Sequence, residues 1–198
     1  MTGRFTRPLF WFALALPALL MLSDLARGAV LAMDLLHPSG ELSVRLVIAA
    51  MLAGPLAGVF GPSRFFRGWL AIRRNLGVAA FGYAMLHLIF YFVDMGAIAV
   101  ILDELALPSI WTGWLALALM AVPAAISFDQ AMRKMGRHKW KTAQRLVYPC
   151  LLLSLVHWLL LDWKWQPAAV HLAPLAMAWA ALLVVRHRTR ISERNPAA

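Results

Sequence analysis

Two histidines, His87 and His157, stand inside long apolar runs of the sequence. A polar side chain at membrane depth costs free energy and is retained for a reason, so chemistry is sought first at these two positions. His87 lies 13 residues beyond Arg74 and His157 lies 12 residues beyond Arg145. At ~1.5 Å per helical residue both sit about 20 Å into a hydrocarbon core roughly 30 Å thick, at similar depth toward the outer side. Two neutral imidazoles facing each other from adjacent helices ligate a b-type heme iron axially on both faces. The other nitrogen of each ring then needs a partner, which a backbone carbonyl or a nearby hydroxyl supplies. The competing reading is two independent histidines making interhelical hydrogen bonds. Zinc needs a third or fourth ligand, and only His171, near the outer end of the last apolar run, is at hand. His37, His138 and His187 read as exposed histidines of loops or the tail.

The elements that must carry these residues follow from composition. Of 198 residues, 62% are hydrophobic and 14% charged, with a mean hydropathy of +0.71. Ordinary soluble domains are near 45 to 50% apolar and about 25% charged, so a soluble globular domain is excluded. At ~20 apolar residues per span the length accommodates about six helices with short connections. Apolar runs occur near residues 9–26, 44–62, 76–96, 110–128, 146–162 and 168–185. The expected fold is all-α, a polytopic six-helix transmembrane bundle. One heme-binding membrane domain would span residues 1–185, followed by a basic, frayed cytoplasmic tail over 186–198. The first run, which follows Arg4 and Arg7, reads as a retained helix rather than a cleaved signal peptide.

Charge orients the bundle. The net charge is +10, from 19 Lys and Arg against 9 Asp and Glu, and the basic residues flank apolar runs as a membrane protein requires, so nucleic acid is not the expected partner. An even number of spans puts both termini on one side, and 16 of the 19 basic residues fall there; only Arg27, Arg45 and Lys164 fall opposite. Seven of the nine acidic residues, among them Asp24, Glu41, Asp103, Glu104 and Asp162, go the other way. Both termini are therefore expected in the cytoplasm, the chain being multi-pass. Trp69, Trp111, Trp140, Trp163 and Trp165 lie near expected helix ends, where indole rings anchor at the headgroups. The single cysteine, Cys150, excludes an intramolecular disulfide and reads as buried and inert.

Two segments carry a family resemblance. One runs from Arg73-Arg74-Asn75-Leu76-Gly77 through Ala80-Phe81-Gly82-Tyr83-Ala84-Met85-Leu86-His87 to Tyr91; the other is Trp140-Lys141-Thr142-Ala143-Gln144-Arg145-Leu146-Val147-Tyr148 followed by Val156-His157-Trp158. They resemble the MsrQ family, the heme-binding membrane subunits of bacterial periplasmic protein-methionine-sulfoxide reductase systems, within the ferric-reductase-like transmembrane superfamily. The resemblance implies an electron carrier of the bacterial inner membrane, fed by a quinol or a flavin. It would pass electrons through heme b to a periplasmic molybdopterin-dependent partner, the subunit that reduces oxidised methionine, so no catalytic residue is expected on this chain. Carried over residue by residue, the ligands are His87 and His157. The family pattern before Arg145 is Leu-His, whereas this chain has Ala143-Gln144. A glutamine amide is a poor iron ligand beside imidazole, which leaves one heme expected and an inner second site doubtful.

Arg73 and Arg74, read as opening the third helix beside Arg64 and Arg67, face a loop holding Arg133, Lys134, Arg137, Lys139 and Lys141. Arginine grips a phosphate bidentately and a helix N-terminus adds free N–H groups, so the phosphate of FMN is an expected guest of Arg73 and Arg74, as the resemblance also implies. The donor would be a cytoplasmic flavin reductase or the quinol pool. The plainer reading of the same charges is contact with membrane lipid headgroups. Tyr83, Tyr91, Phe81 and Phe90 surround His87 in its helix and serve either as porphyrin neighbours or as packing between helices. Asp24 is placed to pair with Arg27. Two rival functions stand beside the cytochrome: a cofactor-poor scaffold of the same fold, which would show no heme absorbance, and a proton-coupled transporter using His87 and His157 as a relay. The transporter ranks last because no pair of Gly/Pro-broken spans recurs in corresponding halves.

Overall fold

A computed structural model describes the backbone of residues 3–194 and the side chains of residues 8–191. The side chains of Arg4, Arg7, Glu193 and Arg194, counted above with the basic loops, and tail residues 195–198 lie outside the described residues. The described residues are helical throughout, without a strand: α1 Gly3–Ala26, α2 Ala32–Phe60, α3 Arg64–Met95, α4 Ile98–Glu104, α5 Pro108–Ala125, α6 Asp129–Met135, α7 Arg137–Gln144, α8 Val147–Asp162 and α9 Trp165–Arg194. Six stretches are long and apolar enough to cross a membrane: α1, α2, α3, α5, α7 continued by α8, and α9. The expected six-helix transmembrane bundle is thus the fold.

Local chemistry sets the ends. The Ser63 hydroxyl accepts the Phe66 N–H at 3.3 Å and starts α3, and Gly96, left-handed at φ 66°, ends it by donating its N–H to the Phe92 carbonyl at 3.2 Å. Pro108 opens α5, where a missing N–H costs nothing. Asp34 in the first turn of α2 accepts the Leu31 N–H at 2.9 Å. The polar stretch from Asp34 to Ser43 is therefore helix, and His37, read above as a loop residue, stands in α2. Arg73 and Arg74 do not open the third helix; α3 begins at Arg64, about two and a half turns earlier, because the Ser63 cap outweighs the low hydropathy of the arginine-rich stretch. The last helix likewise continues through 186–194, where the expected tail begins, and cations suit a helix C-terminus.

α2 packs along α3 and also meets α9 and α8, while α5 lies against α8 and α3. The central core joins Val44, Val47 and Ile48 of α2 to Ala80, Met120, Cys150, Leu155, Trp158 and Leu175 from the other helices. Cys150 is fully buried there, as its sequence setting suggested. Fully buried Ala53 and Ala80 let backbones approach, and the Ser43 hydroxyl reaches across from α2 to donate to the Ala80 carbonyl at 2.8 Å. A second cluster, Leu35, Tyr83, Leu86 and Phe90, holds α2 to α3 and receives Ala18, Met21 and Leu25 of α1.

Among its described side chains, from Pro8 to Ala26, α1 contributes no buried residue, and it leans on the outside of this cluster. Its attachment is polar: the Tyr83 hydroxyl donates to the Leu14 carbonyl at 2.6 Å and accepts the Ala18 N–H at 3.2 Å. The phenol thus enters the α1 hydrogen-bond ladder one residue after Pro17, whose missing N–H already weakens it. Tyr83 is a packing residue rather than a neighbour of the site. Tyr83→Phe is expected to cost about 1 kcal/mol, the size of an interhelical hydrogen bond in a membrane protein. The readout is a lowered midpoint in an SDS unfolding titration.

Candidate cofactor site

A cavity of about 480 Å³ opens between α2, α3, α5 and α8 in the half of the bundle that carries Asp103, Glu104 and Asp162, here termed the acidic end. Its volume falls in the range of about 300 to 1,000 Å³ usual for cofactor pockets. Most of its wall is apolar, with Val44, Ala84, Ala116 and Met120 toward the core. His87 from α3 and His157 from α8 face each other across it, with ring centroids 6.2 Å apart and planes at 89°. The matching depths read from the sequence are thus matched by a matching direction.

Both rings are held from behind. The Nδ1 of His87 lies 2.9 Å from the Leu36 carbonyl, and the Nδ1 of His157 bonds the Ser109 carbonyl. A carbonyl only accepts, so each Nδ1 carries the proton and each Nε2 keeps its lone pair. A metal–imidazole nitrogen bond of about 2 Å, plus a little over 1 Å from nitrogen to ring centre, taken twice, gives a centroid separation of about 6 Å. The observed spacing therefore suits one metal ion shared by two imidazoles. The donor set stops at two: among the described residues no group of three or more His, Cys, Asp or Glu side chains gathers. Zinc would be under-coordinated, whereas iron already held by four porphyrin nitrogens needs two axial ligands.

The other histidines have other partners. His171 is outside the cavity wall; its Nδ1 donates to the Pro167 carbonyl at 2.7 Å, and its Nε2 accepts from Arg45 at 3.0 Å beside Glu41 at 3.1 Å. His37 packs its ring on Trp158 at 5.4 Å, between Glu41 at 3.8 Å and Asp162 at 3.9 Å. His138 and His187 are exposed. Phe90 is buried in the second cluster, away from the wall, while Tyr91 lines it and donates to Glu104 at 2.8 Å. Tyr91 lies four residues past His87 on one helix face; its pairing with α4 had no sequence signal, because the seven residues of α4 fall in the connection between two apolar runs.

At the opposite, basic end, Arg74 forms a 2.6 Å ion pair with Asp129 and stacks its guanidinium over Trp140 at 5.7 Å, tying α3 to α6 and α7. Arg73 is exposed beside it. The free helix N-terminus expected there for a phosphate is absent, since α3 starts at Arg64. Gln144 closes α7 and donates from its amide nitrogen to the Pro123 carbonyl at 3.2 Å, satisfying the C-terminal turn of α5. Trp163 and Trp165 are exposed at the acidic end, as headgroup anchors would be, and Arg27 pairs with Asp24 at 2.6 Å.

Residues 39–155, from α2 to α8, match the model of the ferric reductase like transmembrane component family. The protein-methionine-sulfoxide reductase heme-binding subunits MsrQ of Brucella ovis, Brucella canis and Brucella suis are each 34% identical over 165 residues, covering 81% of this chain and 71% of theirs. The match thus takes in the helices that build the cavity, and the chain belongs to the ferric reductase like transmembrane component family and, within it, to the MsrQ heme-binding subunits.

Proposed function

We propose that this chain is a b-type cytochrome of a bacterial inner membrane, both termini cytoplasmic, that carries electrons to a periplasmic, molybdopterin-dependent methionine sulfoxide reductase subunit. The observation that carries the reading is the pair of facing imidazoles, each with Nδ1 held by a backbone carbonyl, which leaves Nε2 to offer its lone pair. His87 and His157 are the residues that would hold the iron of a heme b. Bound between them, the heme would supply a one-electron centre inside the bilayer. The carbonyl bonds orient the rings and raise their basicity, and the apolar wall excludes water. The chain carries electrons and leaves reduction of the sulfoxide to its partner.

At the basic end, Arg73 is the group placed for an anionic donor, such as the phosphate of FMN or a cytoplasmic flavin reductase carrying it, with the quinol pool as the other source of electrons. Arg74 serves there through Asp129 and Trp140, holding the surface on which a donor or membrane lipid rests. Gln144, engaged with the Pro123 carbonyl, offers no second iron site.

The test is a dithionite-reduced minus oxidised spectrum of the purified protein with heme quantified per chain. About one heme per chain is expected, because one pair of imidazoles faces a cavity. Two would mean a ligand set beyond this pair, and none would sink the cytochrome in favour of the scaffold. Electron delivery is checked in vesicles, with reduced quinol or flavin outside and a methionine-sulfoxide peptide plus the periplasmic reductase inside.

A further inference from the structure

Each histidine is gripped by a facing helix in the same way, and the two grips share one register. On α2 the Leu36 carbonyl takes the proton of His87 Nδ1; three residues on is Ser39, and four on is Gly40. On α5 the Ser109 carbonyl takes the proton of His157 Nδ1; three residues on is Thr112, and four on is Gly113. Apart from Thr2-Gly3, these are the two Ser/Thr-Gly steps in the sequence, and each faces one of the two histidines.

The spacing has a physical cause. Helical side chains tilt toward the N-terminus, so the residue four positions on covers the carbonyl that an approaching ring must reach. A Cβ at Gly40 would stand 3.2 Å from His87 Nδ1, and one at Gly113 would stand 2.7 Å from His157 Cε1 and 2.8 Å from its Nδ1. The second of these distances is too short for any methyl group, so a glycine is required for the imidazole to lie where it does. The hydroxyl three positions on shares the same carbonyl. Ser39 Oγ bonds the Leu35 carbonyl at 2.6 Å and the Leu36 carbonyl at 3.0 Å; Thr112 Oγ1 bonds the Pro108 carbonyl at 2.6 Å and the Ser109 carbonyl at 3.1 Å. Ser39 and Thr112 are buried, at 0% and 3% exposure, among few polar side chains so enclosed.

We propose that Ser39-Gly40 and Thr112-Gly113 are two copies of one positioning device, the glycine admitting the imidazole to the carbonyl and the hydroxyl moderating that carbonyl as an acceptor. The device fixes which nitrogen of each ring faces the cavity and holds the two ring planes perpendicular. It also sets the electron-donating strength of each imidazole, since a stronger Nδ1–H···O=C bond makes the ring more basic and favours the oxidised iron. This inference rests on the cytochrome reading.

The test uses the full-length heme-loaded protein and three readouts: heme per chain, the low-temperature EPR spectrum of the ferric form, and the midpoint potential. The wild type is expected to give the single low-field EPR feature of perpendicular axial imidazoles. In Gly113→Ala that feature shifts or heme content falls several-fold, while Gly82→Ala, at an exposed α3 position with open space for a methyl, leaves both unchanged. Thr112→Val keeps the shape, removes the hydroxyl, and lowers the potential, and Thr112→Ser restores it. Gly113→Ala with a wild-type spectrum and heme content, or an unmoved potential in Thr112→Val, overturns the positioning device alone. A wild type without heme overturns the cytochrome reading and the device with it.

Discussion

Replacing His87 or His157 with alanine is expected to strip the heme absorbance from the purified protein, with occupancy falling more than about tenfold in each case. Removing a residue behind a ligand commonly costs 10- to 100-fold in metal affinity, and loss of the ligand itself costs at least as much. The loss is equally severe from either side because the two rings share one cavity, their centroids 6.2 Å apart, and the third histidine of its wall, His37, is packed on Trp158 between Glu41 and Asp162. His171→Ala and His37→Ala serve as comparisons. His171 is engaged with Pro167, Arg45 and Glu41, and His37 lies between Glu41 and Asp162, so both variants should keep their heme. Full heme in His87→Ala or in His157→Ala would remove that residue from the ligand pair.

Phe90→Ala should be the most destabilising packing change, at about 3 kcal/mol, the low end for truncating a buried phenylalanine. The low end applies because lipid is as apolar as the ring, so the water-transfer contribution largely vanishes and lost contacts with neighbouring side chains remain. Phe90 is fully buried, three residues past His87, in the cluster that holds Leu35 and Leu86. Leu35 immediately precedes the carbonyl that grips His87, so a void there loosens α2 against α3 at the height of the ring. A lowered SDS or thermal unfolding midpoint, with heme released at lower temperature, is the expected result. Phe92→Ala, at a 43% exposed position two residues away, should stay within about 0.5 kcal/mol of wild type. Equal effects at the two positions would show that the second cluster does not anchor the site.

The bundle was legible where hydropathy is strong. The spans near 110–128 and 146–162 correspond to α5 and α8 within a few residues, because an unbroken apolar run has few alternatives inside a membrane. It was least legible where helix continues into polar sequence. α2 starts at Ala32, though its first turns hold Asp34, His37, Ser39 and Glu41, and α3 starts at Arg64 among arginines. Hydropathy reports the slab a residue sits in, whereas hydrogen-bond capping reports where the helix stops, and the two differ wherever helices outrun the lipid. The same difference moved Arg73 and Arg74 from a helix end into a helix body. It also turned Arg74 from a phosphate ligand at a free N-terminus into the partner of Asp129.

The sequence by itself determined the number of crossings and the common depth of His87 and His157, because length, apolar content and rise per residue are properties of one helix at a time. Only the tertiary structure decided that the two rings meet, that Leu36 and Ser109 hold them, and that His171 and Gln144 stand apart with other partners. The reason is rotational. Depth is read along a helix axis, but direction around that axis is set by which faces pack, and here it was set by the small residues that let α2 approach α3 and by two glycines that let α2 and α5 receive an imidazole.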